Sequence, residues 1–169
     1  YPDALHVRTA VWMAQADGRL ARRDPVPDAD PQSVTFRFQQ SIRLRDAQAG
    51  LDELRTRVRT ALEGQPMPAF AVVLIGPMLW TRFESAEGTV DMVPHVTGPA
   101  RDDVVIVTDE AVVAALAEGR MTAREARAQG LAKTYGTSEN VDRVSALLDR
   151  AFDPSKHQTS QTQPLIEVP

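Results

Sequence analysis

The amino-acid sequence predicts a single α/β domain of the α+β type over residues 33–152. A helical arm and connector precede it at 1–32, and an extended tail follows at 153–169. Three observations carry that expectation. Val104, Val105, Ile106 and Val107 form a β-branched run that suits a buried strand. Thr108 is placed to cap the helix that follows, with Asp109 and Glu110 in its first turn, where the helix dipole favours negative charge. Thr122-Ala-Arg-Glu125 reads as a capping box opening a second helix, which Gly130 can end.

Before that stretch, residues 1–18 read as a helix with Asp3 as cap and Gly18 as stop. Ala4, Val7, Val11 and Ala14 follow one face and Leu5 and Trp12 an adjacent one, so the apolar surface is wide. Pro25, Pro27 and Pro31 among Asp24, Asp28 and Asp30 mark a solvated connector. Val34, Phe36 and Phe38 alternate with Thr35, Arg37 and Gln39, which predicts a half-buried strand over 33–44. Asp46 then caps an amphipathic helix striped by Leu51, Leu54, Val58 and Leu62, with Arg55, Arg57 and Arg59 on its solvated side. Residues 70–75 form a continuous apolar run, the expected central strand. Gly76-Pro77 breaks it, a second strand follows through Met78, Trp80 and Arg82, and a third around Val90 to Val93 is confined to an edge by Pro94. After the capping box, residues 131–135 form a short strand. Val141, Val144, Leu147, Leu148 and Phe152 recur at helical spacing.

Composition narrows the function classes. A chain of 169 residues with 43% hydrophobic content holds one ordinary core. A net charge of −4, with basic residues interleaved among acids, argues against a nucleic-acid partner. Without cysteine there is no disulfide and no thiolate chemistry. No apolar stretch is long enough to span a membrane. The chain begins at Tyr1 without methionine, read either as a trimmed start or, in preference, as removal of a leader from a protein exported to the periplasm or secreted. His6, His95 and His157 have no second ligand at metal spacing, the connector lacks the glycine and final glutamate of a calcium loop, and no nucleophile elbow or phosphate loop occurs. No cofactor, metal or catalytic residue is expected.

From Asp46 onward the chain resembles the sterol-carrier-protein-like lipid-binding domain. The resemblance lies in Asp103-Val-Val-Ile-Val-Thr-Asp-Glu110, Ala115-Leu-Ala-Glu-Gly119, Ala126-Arg-Ala-Gln-Gly130, Leu131-Ala-Lys-Thr-Tyr-Gly136 and the closing helix through Leu148. It implies a mixed, largely antiparallel sheet covered by helices around an apolar cavity for acyl chains or sterols, without catalysis. Val72, Leu74, Trp80 and Met121 would wall that cavity.

Two functions follow as expectations. The first is a non-catalytic accessory subunit of an exported assembly, such as a membrane-associated dehydrogenase. It would grip a larger protein subunit through Leu5 and Trp12 at one end and Leu165, Ile166 and Val168 at the other. The second is a soluble carrier with a lipid or acyl ligand.

Overall fold

A strand buried along its whole length needs cover on both faces, and two such strands set this architecture. The computed structural model describes residues 3–22, 33–86, 88–153 and 155. In chain order the elements are α1 (Ala4–Ala16), α2 (Val34–Leu62), β1 (Phe70–Leu74), β2 (Leu79–Ala86), β3 (Thr89–Pro94), β4 (Val104–Thr108), α3 (Glu110–Ala117), α4 (Ala123–Ala128), β5 (Lys133–Tyr135) and α5 (Ser138–Ala151). They form a mixed α+β fold around a five-stranded sheet ordered β3-β2-β1-β4-β5. The central pair, β1 and β4, is parallel, with Phe70 opposite Val104 and Leu74 opposite Thr108. The other pairings are antiparallel. Pro94 ends the edge strand β3, where its missing N–H costs no ladder bond.

Side-chain alternation divides the sheet. One face carries Phe70, Val72 and Leu74 beside Val104, Ile106 and Thr108, and the Phe70 and Phe83 rings stack there at 4.9 Å. Helix α2 lies on this side and packs against α3 and α5. The other face carries Ala71, Val73, Val105 and Val107, all buried. Helix α1 packs against β4 and buries Val7, Val11 and Ala14. The Tyr135 hydroxyl donates to Asp3 Oδ2 at 2.9 Å, which ties the start of α1 to the edge strand β5.

Three local expectations are corrected. The predicted strand at 33–44 is the first third of one long helix, α2. Ser33 caps it by accepting from the Phe36 N–H at 3.0 Å, and Asp46 is interior. The alternation of Val34, Phe36 and Phe38 also contains the helical series Val34, Phe38, Ile42, and no glycine or proline separates 33 from 49. Thr108 does not cap α3. It stays in β4, where its hydroxyl donates to the Leu131 carbonyl at 3.0 Å, and Asp109 caps instead, accepting from the Ala111 N–H at 3.1 Å. Asp3 stands at the cap position of α1 without making a cap hydrogen bond. The capping box is present: Thr122 Oγ1 accepts from the Glu125 N–H at 3.1 Å, and Glu125 accepts from the Thr122 N–H at 2.8 Å. Of the expected Pro/Asp-rich connector at 19–32, residues 23–32 lie outside the described residues, as does the tail beyond 155.

Leu54 is 4% exposed and belongs to the core. Leu54→Ala should therefore lower unfolding free energy by about 2–5 kcal/mol in denaturant melts, and a loss under about 0.5 kcal/mol would place that stripe in solvent. The Tyr135 hydroxyl, and then His6, hold the Asp3 carboxyl below its ordinary value. Its contribution to docking α1 is present above the unfolded value and is lost as pH falls through the lowered folded value. In Tyr135→Phe the Asp3 titration followed by NMR should move up towards the ordinary carboxylate range. An unmoved curve would show that the hydrogen bond is not made in solution.

Candidate functional site: an apolar seam under the sheet

Close helix packing builds the site. Helix α2 meets α3 at Gly50, where an added Cβ would lie 3.0 Å from Val113 Cγ1. That approach presses Val113 and Leu116 of α3 and Leu54 of α2 down towards Val72 and Ile106 of the sheet. Small residues of α4, Ala123 and Ala126, leave the remaining gap, and Leu148 and Phe152 close its far end. The result is an apolar cavity of about 30 Å³.

Two of the three polar side chains in its wall, Thr108, Arg127 and Thr134, are engaged elsewhere. Thr108 donates to Leu131. Arg127 sits at the margin with its Nη2 at 2.8 Å from both carboxylate oxygens of Asp149. A void of this size has room for no more than about one water molecule, and its lining is almost wholly apolar. Pockets for small molecules measure roughly 300–1,000 Å³. The closed seam is therefore far smaller than a ligand site, and an occupant longer than a methyl group needs one wall to move.

Phe152 is the wall with a distinctive support. It follows the last turn of α5 and is 3% exposed. The Arg57 guanidinium lies over its ring, 5.4 Å from the centroid. Arg57 is itself fixed by Glu53 at 2.7 Å and by donation to the Ala117 carbonyl at 2.5 Å. The expectation that Arg57 is a solvated side chain is thus corrected: its side chain is 15% exposed and bridges α2, α3 and the end of α5. Its only one-dimensional signal was the i, i+4 spacing from Glu53.

Of the four residues named for a cavity wall, Val72 lines the seam. Leu74 is buried on the same face but beyond it, and Met121 is buried after α3 without reaching it. Trp80 pairs with Val73, and so belongs to the opposite face of the sheet from Val72. Leu5 and Trp12 are 72% and 68% exposed on α1, because Val7, Val11 and Ala14 take the buried side. Leu165, Ile166 and Val168 lie outside the described residues. Among the described residues, no group of three or more histidine or acidic side chains is placed to hold a metal, and no helix is long and apolar enough to cross a membrane.

No family model matches the chain, and no curated protein matches it. Among solved structures it is similar to sterol carrier protein 2, with a TM-score of 0.42 and 20% identity over 64% of this chain and 95% of that one. It is also similar to a ubiquinone synthesis protein, UbiJ-SCP2, with a TM-score of 0.39 and 22% identity over 58% and 79% of the two chains. A third is the sec-alkylsulfatase Pisa1 from Pseudomonas sp., with a TM-score of 0.42 and 18% identity. This chain covers only 14% of that enzyme's length, and 54% of the present chain is matched.

Phe152→Ala should cost about 3–5 kcal/mol in denaturant melts. A double-mutant cycle with Arg57→Met should return a coupling of roughly 0.5–2 kcal/mol, the worth of the cation–π contact. Additive losses would mean that the ring is held by packing alone.

Proposed function

We propose that the protein is a non-catalytic binder of a single-chain apolar ligand, of the fatty-acyl class, taken into the seam beneath β1, β4 and β5. One observation carries the reading: the walls of the seam are apolar side chains drawn from the sheet and the surrounding helices, and they end at an aromatic plug on the last turn of the domain. A ligand enters when Phe152 leaves its place, with Ala123 and Ala126 providing the space that larger side chains would deny. The order of elements from Asp46 onward, which resembles a lipid-binding domain, supports the same reading.

Trp80 faces away from the seam, so its emission is the wrong reporter. A fatty acid carrying its own fluorophore should instead brighten saturably at micromolar protein. Ala126→Val fills the seam, and should abolish the signal while costing about 1–3 kcal/mol of stability, too little to unfold the domain. Wild-type protein giving no saturable signal up to the solubility limit of the probe would end the carrier reading.

A second reading is favoured by a separate observation. Leu5, Trp12 and Met13 on α1, and Val34, Phe38 and Ile42 on α2, are large apolar side chains left exposed. Such patches mark contact surfaces. In this reading the chain is an accessory subunit of a periplasmic assembly, and the α1 patch contacts a larger protein. A photo-crosslinking residue at Trp12 should then capture one defined protein in the source organism, and adding Leu5→Ala to the same chain should lose it. Crosslinks that are diffuse, or unchanged when Leu5 is replaced, would discard this reading.

A further inference from the structure

Three grooves run into one another along the outer side of α5. The first, about 230 Å³, lies between Thr56 and Thr60 of α2 and Arg150 of α5. The second, about 210 Å³, shares Arg150 and continues over Leu62, Met67 and Leu147 to Arg143. The third, about 530 Å³, shares Arg143 and Met67 and opens towards Arg101. Arginines dispersed in the sequence are thus gathered along one concave strip of a chain whose net charge is −4.

Among the described residues, the charged groups lining this strip are as follows. Arg57 is held by Glu53, and Arg82 by Asp103 and Glu84. Glu63 lines the first groove and Asp102 the third. Arg101, Arg143 and Arg150 make no ion pair among the described residues, although Arg143 donates to the Pro66 carbonyl at 3.3 Å. Among the described residues, the middle groove has no acidic side chain in its wall. There, Arg143 and Arg150 stand seven residues apart on one face of α5, about 10 Å along its axis. Buried Leu62, Met67 and Leu147 form an apolar floor between them.

We propose that this middle groove docks an extended acidic peptide segment of a partner protein. A flat bilayer cannot follow a concave channel, whereas a single extended chain can. In polyproline II geometry, residues three apart share a face and lie about 9 Å apart. A Glu-x-x-Glu segment therefore sets one carboxylate against Arg143 and the other against Arg150, with an apolar side chain between them on Leu62, Met67 and Leu147. Guanidinium and carboxylate suit each other as paired fork and acceptor. This site is separate from the seam, and its fate does not depend on lipid binding.

Calorimetry with the peptide acetyl-Pro-Glu-Pro-Leu-Glu-Pro-amide tests the inference on the full chain. Saturable binding is expected, weakening as salt rises. The Arg143→Gln, Arg150→Gln double variant should bind roughly tenfold more weakly or worse. Both positions are exposed, so its melting temperature should match the wild type. A peptide with glutamines in place of the glutamates should not bind. The proposal is overturned if the acidic peptide fails to bind at millimolar concentration, or if the double variant binds it equally well. It is also overturned if phosphatidylglycerol vesicles bind the protein through these arginines and the peptide does not.

Discussion

The parallel pairing of β1 with β4 is the constraint from which the rest follows. Both strands are buried along their whole length, so neither face of the sheet's centre can meet water. Helices α2, α3 and α5 serve one face, and α1 must return from the chain's start to serve the other. Parallel strands also forbid a tight hairpin, so the chain makes an excursion through β2 and β3 before entering β4. The re-entry is pinned by Asp103. Its carboxylate accepts from Arg82 Nε at 2.9 Å and from the Ala100 N–H at 2.8 Å, immediately before the first residue of β4. The Asp103 side chain is 2% exposed, and Arg82 across the sheet is mostly buried as well. With Asp103 beside it, and Glu84 near, the Arg82 guanidinium is held above its ordinary value. Such a pair adds little net stability over apolar packing, but leaving one member unpaired is costly, so it fixes where the excursion ends.

Helix α5 faces two ways because of this arrangement. Its inner side sends Leu148, and just past its end Phe152, into the seam below the sheet. Its outer side carries Arg143 and Arg150 along the groove. The two sides differ in dielectric as much as in shape. The inner one is apolar, where unpaired charge is prohibitive, and its nearest guanidiniums, Arg57 and Arg127, are fully engaged with carboxylates and a carbonyl. The outer one is wet, where arginine remains charged without a partner at small cost.

Local chemistry was legible in the sequence by itself. Thr122 and Glu125 met as a capping box, Val104 to Val107 formed a strand, Pro94 marked an edge, and the stripe Leu51, Leu54, Val58, Leu62 was buried, because each leaves its signal in residue types and spacing within a few residues. Even locally, a short window left one choice open. Val34, Phe36 and Phe38 satisfy period two, and Val34, Phe38 and Ile42 satisfy the helix. Continuity with the helix after Asp46, and Ser33 closing its first turn, decided it. Tertiary structure alone decided which buried residues share a space. Val72 and Trp80 lie on neighbouring strands, yet a register placing Trp80 opposite Val73 sends them to opposite faces. Arg57 became a bridge rather than a solvated side chain because Ala117 and Phe152 arrive from elements far along the chain. Arg101 came beside Arg143 in the same way, whereas Arg143 and Arg150 already share one face of α5 through their spacing. Periodicity and capping report what a residue does within its own element. Register and helix crossing determine what it faces, and those are set by contacts between distant segments that one-dimensional spacing does not encode.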